Sequence, residues 1–227
     1  MGIISNKRYG SERALYGIEN TVVENCRFEG EEDGESALKE SRAITVKNCF
    51  FDLRYPLWHG EGLKLENCEM TENCRAALWY DKDAIISDSK LNGIKALREC
   101  KNVSIRNCEI HSPEFGWKSS GLGLKDVTLD SEYAFLESRN VFIDKLNFNG
   151  KYSFQYVKKR YNQKFRSKHQ GRVLARKKRH GGKLRAGRRV HRLVFGRTDS
   201  VALPHQGNAT FLLLQKPEAC GLHHGKL

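Results

Sequence analysis

The chain has 227 residues, 39% of them hydrophobic and 30% charged, with a formal net charge of +13. That length permits one or two domains, and that apolar fraction is enough for a repeat core. No run of 18 apolar residues occurs, which excludes a membrane-crossing helix.

Met1 to Arg8 lacks the charged-then-apolar order of a signal peptide, and Asn6-Lys7 stand where a myristoylation start needs Ser or Thr. The expected location is the cytoplasm. Residues 1–11 read as a lead-in, and from residue 12 the chain becomes periodic. The rule is apolar, any, apolar, any, Asn, small, any, apolar. It appears as Thr21-Val22-Val23-Glu24-Asn25-Cys26-Arg27-Phe28 and again as Asn102-Val103-Ser104-Ile105-Arg106-Asn107-Cys108-Glu109-Ile110. The anchor column is Asn25, Asn48, Asn67, Asp88, Asn107, Asp126 and Lys145, with spacings of 23, 19, 21, 19, 19 and 19.

A period near 20 admits two repeat folds. A leucine-rich repeat needs a helix-compatible return limb, and here that limb is short and rich in Gly, Ser, Lys and Glu. The expected fold is therefore all-β: a right-handed, single-stranded parallel β-helix of about seven coils over residues 12–158. Coils would rise about 4.8 Å each, and the anchor side chains would stack as an amide ladder. Lys145 is expected to break that ladder, with Asp88 and Asp126 weakening it.

The position after the anchor holds Cys26, Cys49, Cys68 and Cys108, and elsewhere Ser89, Val127 and Leu146. Such a column is inward-facing and takes small or apolar side chains. It has no C-x-x-C spacing and no nearby His, so neither a metal site nor a cofactor is expected. Cys74 and Cys100 fall outside the column.

Ten residues before each anchor an inward column begins a second strand: Leu15, Leu38, Leu57, Leu78, Leu97, Gly116 and Phe135. The next residue should face outward by strand alternation: Tyr16, Lys39, Trp58, Trp79, Arg98, Trp117 and Leu136. After it come Gly17, Glu40, His59, Tyr80, Glu99, Lys118 and Glu137. Aromatic faces flanked by polar groups suit sugar rings or flat ligands, so Tyr16, Trp58, Trp79, Tyr80, Arg98 and Trp117 form the candidate binding stripe. The alternative is plain packing, with the Trp rings covering a loop or capped by the acidic insertion at residues 29–35. No nucleophile elbow, phosphate loop or paired acid and base occurs. His59, Glu40 and Glu99 are the acid–base candidates an enzyme would have, and no catalytic residue is assigned.

The run Gly34 to Ser41, then Tyr55-Pro56-Leu57-Trp58 and Arg75-Ala76-Ala77-Leu78-Trp79-Tyr80, resembles an uncharacterised bacterial family of pectin-lyase-like β-helix proteins. The resemblance covers about residues 12–157. It implies the β-helix and a cytoplasmic bacterial protein, and it brings no activity. The wider superfamily contains polysaccharide lyases and hydrolases, whose paired Asp-Asp, Gly-His-Gly and Arg-x-Lys signatures are not matched here.

Beyond Lys158 the composition changes. Up to that residue 22 basic and 25 acidic residues give −3; from Lys159 onward 18 basic and 2 acidic give +16. Arg172 to His180 has the look of a nucleic-acid arm. A different reading fits the period better. A reading frame displaced at Lys158-Lys159 permits NVTIRNSVLNTKDAFWHAKNVTVENC, with later stretches YIGWYSEGLTL and NLKLVDC. The recovered anchors fall at positions 164, 183, 202 and 221, each 19 further from Lys145. Residues 159–227 are thus expected to be an out-of-frame, largely disordered basic tail, from which nucleic-acid binding is not inferred. The partner expected is a carbohydrate or another protein, bound by the stripe of an uncharacterised scaffold; the alternatives are a carbohydrate-active enzyme on the same face, or a nucleic-acid-binding tail.

Overall fold

The computed structural model describes residues 1–30 and 34–167, with side chains as far as 162. Its corners explain the repeat. Asn and Asp enter the left-handed backbone region more readily than other L residues, because their short polar side chains bond locally. Asn25, Asn48, Asn67, Asp88, Asn107 and Asp126 all do so, with φ between 50° and 54°, and Lys145 follows at 52°. One such residue between two extended segments turns the chain at each anchor.

Before the anchor, strands Gly2–Ser5, Thr21–Glu24, Thr45–Lys47, Lys64–Glu66, Lys82–Ser87 and Lys101–Arg106 pair in that order, all parallel. After it, Arg8–Tyr9, Arg27–Phe28, Phe50–Phe51, Glu69–Met70, Lys90–Asn92 and Glu109–His111 stack likewise. From Ser120 the two faces fuse into single strands running around the anchor, Ser120–Asp130, Arg139–Asn149 and Lys158–Ser167. The result is a parallel β-solenoid of about eight turns.

Both expected boundaries lie inside it. Gly2 pairs with Thr21, and Asn6 turns a corner at φ 55°, so the lead-in is a coil. Lys7 in the cysteine slot hides that first anchor. At the other end, Lys158–Ser167 continues the stack in register with Arg139–Phe148. The coil count is accordingly about eight turns, where the sequence led us to expect about seven.

The core is a set of single-file columns. Two before each anchor lie Val23, Val46, Leu65, Ile86, Ile105, Leu124 and Ile143; three after it lie Phe28, Phe51, Met70, Leu91, Ile110, Leu129 and Phe148, all buried. Phe28 and Phe51 stack at 4.7 Å with ring planes 3° apart. Each such side chain contributes about 1.5–3 kcal/mol of burial, which is what orders the short strands.

The cysteine column seals the corner. Cys49 Sγ donates to the Lys47 carbonyl at 3.2 Å and accepts the Cys26 N–H at 3.4 Å. Ser89 Oγ donates to Ser87 O at 2.6 Å and accepts the Cys68 N–H at 3.0 Å. A group that is small, inward and both donor and acceptor satisfies backbone that would otherwise be buried unpaired. Cys100 serves another column of the same kind, accompanied by Ser41, Asp81, Ser119 and Ser138. Cys74 ends the 3₁₀ turn Glu72–Cys74 and donates to Phe51 O at 3.2 Å.

A second left-handed column, five residues before each anchor, was not anticipated: Asn20, Ala43, Gly62, Asp83, Asn102, Gly121 and Asn140. Asn102 donates to Asp83 Oδ1 at 2.9 Å, a short ladder of its own.

Candidate functional site

Eight residues before each anchor the backbone is left-handed again, at Gly17, Glu40, His59, Tyr80, Glu99, Lys118 and Glu137, with φ from 51° to 66°. The stripe residues immediately precede this column. Among the described residues the expected second strand exists only as Leu78–Trp79 paired with Leu97–Arg98, extended by a bridge from Arg98 to Trp117. Elsewhere the limb is a chain of turns, because left-handed residues recur at alternate positions, as at Tyr55, Leu57 and His59. The stripe is therefore carried by a corner, with a strand beneath part of it.

On that corner the rings form a continuous row. Tyr55 meets Trp58 at 4.9 Å, Trp58 meets Trp79 edge-on at 5.2 Å, and Trp79 meets Tyr80 at 5.7 Å. His59 stacks on Tyr80 at 4.9 Å. The Arg98 guanidinium lies 4.9 Å from the Trp79 centroid and 5.3 Å from that of Trp117, a cation held between two indoles. Arg98 is 17% exposed, and Glu99 at 3.3 Å and Glu114 at 3.7 Å compensate its charge.

The indole N–H edges are turned into the wall. Trp58 Nε1 donates to Ala76 O at 2.5 Å and Trp117 Nε1 to Tyr133 O, both on the next turn of chain, while the buried Trp79 Nε1 has no partner. The rings thus cover the following turn, and their other edges and the outer groups are what a ligand would meet. The described ends of the acidic insertion bond elsewhere: Glu29 holds Arg27 at 2.6 Å, and Glu35 holds Arg54 at 3.5 Å. Tyr16 (47% exposed) and Tyr80 (42%) are the open aromatics of the stripe.

The three acid–base candidates are spread over different coils and engaged separately. Glu40 accepts from the Tyr16 hydroxyl, which pushes that phenol above its ordinary range. Glu99 is held by Arg98, and His59 by its stack on Tyr80. Among the described residues no side-chain hydrogen bond joins any two of them, and no three His, Cys, Asp or Glu side chains gather as a metal site. No helix among the described residues is long and apolar enough to cross a membrane. The basic run from Arg172 lies outside the described residues.

The anchor corner carries the ladder in direct contact. Asn48 donates to Asn25 Oδ1 at 3.1 Å, Asn67 to Asn48 at 2.9 Å, and Asn107 to Asp88 at 2.6 Å. Lys145, expected to break the column, instead ends it with an ion pair to Asp126 at 3.0 Å. Beside the ladder lies a shallow groove of about 320 Å³ bounded by Arg27, Asn48, Asn67, Glu69, Asp88 and Lys90, which sequence reasoning missed.

Stacked parallel coils with one exposed corner of aromatic and charged groups define a β-helix scaffold protein. Residues 2–169 match the DUF3737 family, described as proteins of unknown function, and the chain belongs to that family. No curated protein matches the chain. Among solved structures it is similar to PfbA, a surface adhesin of Streptococcus pneumoniae, with 12% identity over 74% of this chain and a TM-score of 0.42. The chain spans 61% of the adhesin's length. It is also similar to QnrB1, a plasmid-mediated fluoroquinolone resistance protein, with 12% identity, 70% of this chain and 92% of that one covered, and a TM-score of 0.28.

Proposed function

We propose that this protein is a non-catalytic binding scaffold that takes a glycan on the stripe formed by Tyr16, Trp58, Trp79, Tyr80, Arg98 and Trp117. The observation that carries the reading is the row in which Trp58 and Trp79 on successive coils are followed by Arg98 and Trp117, bordered from Glu40 onward by a polar left-handed residue on each coil. The open rings of Tyr16 and Tyr80, with hydroxyl-bonding groups beside them, suit sugars.

A glycan array probed with the full chain tests this. Binding that is lost in Trp58→Ala and Trp79→Ala, without bond cleavage, is the expected result. New reducing ends or unsaturated products would instead favour a carbohydrate-active enzyme using His59, Glu40 or Glu99. Silence on every glycan would overturn the reading and leave a protein-binding scaffold. The six cysteines among the described residues, all buried and free, support a reducing compartment, the cytoplasm. The coil plan supports placing the chain with pectin-lyase-like helices.

We infer further that the chain leaves its reading frame at Lys158-Lys159. Strand pairing puts Arg160 opposite Val141 and Asn162 opposite Ile143, in columns that are otherwise apolar from Ile44 and Val23 onward. Burial lowers the Arg160 pKa, its guanidinium lies over the Phe154 ring at 4.6 Å, and Asn162 Oδ1 is buried without a partner. The displaced reading puts Val at 160 and Ile at 162, which restores both columns. Under it the +16 segment is an accident of codons, and no nucleic-acid partner follows from the net charge. Resequencing codons 155–165 at the source decides it. One inserted or missing base that recovers further coils is expected; a clean read whose displaced frame soon meets a stop would overturn it and make the basic segment a nucleic-acid-binding candidate.

A further inference from the structure

Directly behind the stripe corner runs the inward polar column Ser41, Gly60, Asp81, Cys100, Ser119 and Ser138. From Asp81 upward its side chains take the N–H of the residue one coil below. Cys100 N–H reaches Ser119 Oγ at 3.1 Å, Ser119 N–H reaches Ser138 Oγ at 3.3 Å, and Gly60 N–H reaches Asp81 Oδ1 at 2.5 Å. A hydroxyl or thiol then returns its own hydrogen to a carbonyl, as Ser119 does to Trp117 O and Cys100 to Arg98 O.

Asp81 differs. It has 0% exposure and carries a second oxygen, Oδ2, that is buried with no partner. An ionised carboxylate there would be an unpaired charge between coils, which costs several kcal/mol, whereas a neutral acid costs far less. The ionisable group facing it is the Cys100 thiol on the coil above; Gly60 below brings none. The neighbouring His59, Glu61, Lys82 and Lys101 are exposed, and Glu99 is half-buried and turned to Arg98.

We propose that Asp81 is a pH-operated latch between the coils that carry the stripe: as a neutral acid it closes the polar column, and as a carboxylate it loosens the contact under Tyr80. The latch stands on the column's geometry, and its bearing on ligand binding rests on the stripe reading above. Burial holds the Asp81 carboxyl well above the ordinary carboxylate range, and the Gly60 N–H opposes this only in part. The protonated form is therefore the one the fold prefers. Stability is full below the unfolded carboxyl value of about 4 and falls as pH rises from there toward the raised folded value.

Thermal melts of the full chain from pH 4 to 9 test this without any ligand, so a failed glycan reading leaves the test intact. The expected result is a melting temperature that falls by about 3 °C or more per pH unit within that window for the native sequence. Asp81→Asn and Asp81→Ser should lose that slope and melt above the native chain at pH 8. Ser is the column's own residue, so Asp81→Ser carries the test if the Asn variant fails to fold. Exchange of the Gly60 amide, referred to its intrinsic rate, should quicken with pH in the native chain alone. Superimposable pH profiles for the native chain and Asp81→Ser would overturn the latch.

Discussion

At the anchor corner and at the stripe corner the backbone does the same thing: one residue per coil takes the left-handed conformation. The residues that do it differ. The anchor corner uses Asn25, Asn48, Asn67, Asp88 and Asn107, which tolerate that conformation and bond from coil to coil through their side chains. The stripe corner uses Gly17, Glu40, His59, Tyr80, Glu99 and Lys118, of which Glu40, Tyr80, Glu99 and Lys118 lack that tolerance, at roughly 1–2 kcal/mol of strain each. Its coil-to-coil links are main-chain, as in Glu40 N–H to Trp58 O at 2.8 Å and His59 N–H to Trp79 O at 3.0 Å. Repetition marks where the side chain makes the fold. Variation on an equally strained backbone marks where the fold leaves the residue type to another demand.

The largest effect expected concerns the buried thiols, two at the sealed side of the anchor corner and Cys74 at the end of its 3₁₀ turn. Burial pushes the Cys49 and Cys74 thiols up to about 12 and Cys68 to about 11. At pH 8 their thiolate fractions should make alkylation about a thousandfold slower for Cys49 and Cys74, and about a hundredfold slower for Cys68, than for an open cysteine. Mass mapping after iodoacetamide treatment checks this, and rapid labelling of Cys49 in the folded chain would mean the corner is open.

Next comes the core against the stripe. Phe51→Ala removes a ring stacked on Phe28 and should cost about 3–5 kcal/mol in urea unfolding. Trp58→Ala should cost visibly less, because Trp58 is only half-buried. Equal losses would make the stripe simply a second core and would remove the ground for a binding face.

A smaller difference separates the two left-handed columns. Asn48 both donates to Asn25 and accepts from Asn67, so Asn48→Ala should cost about 2 kcal/mol from the two bonds and the strain together. Lys118→Ala at the stripe corner should stay within about 0.5 kcal/mol. Asn48→Gly should recover the strain part only, which separates bond from backbone.

The period, the anchors and the inward cysteines were legible because each repeats one residue type for one physical reason. The opening coil was not, since Lys7 occupies the cysteine slot and Asn6 alone carries the signal. The column of Asn20, Ala43, Gly62, Asp83 and Asn102 was missed because its members share a positive φ and no residue type, with Ala43 among them lacking even the usual tolerance for it. Nor does a string of letters show that Arg98 would be drawn between Trp79 and Trp117, or that the indole N–H groups would turn inward. Those contacts join residues 16 to 19 apart, and they depend on which rotamer each corner allows.

The smallest effect tests the ladder's direction. Each Asn donates to the coil below and accepts from the coil above, so an Asp can accept from above and give nothing downward. Asp88 takes the Asn107 amide at 2.6 Å, and no bond joins it to Asn67, whose Oδ1 and the Asp88 carboxylate are both acceptors. Asp88→Asn should supply the missing donor and keep the bond to Asn107, with its charge assistance lost. The net gain should be about 0.5 kcal/mol, read as a higher urea midpoint at unchanged slope. Asp126→Asn is the control. There the carboxylate is already paired with Lys145 at 3.0 Å, so the bond gained toward Asn107 is set against an ion pair weakened, and no net gain is expected. A loss of stability in Asp88→Asn would mean that Lys90 and Arg27, which border the same groove, hold the Asp88 charge more tightly than the ladder needs a donor.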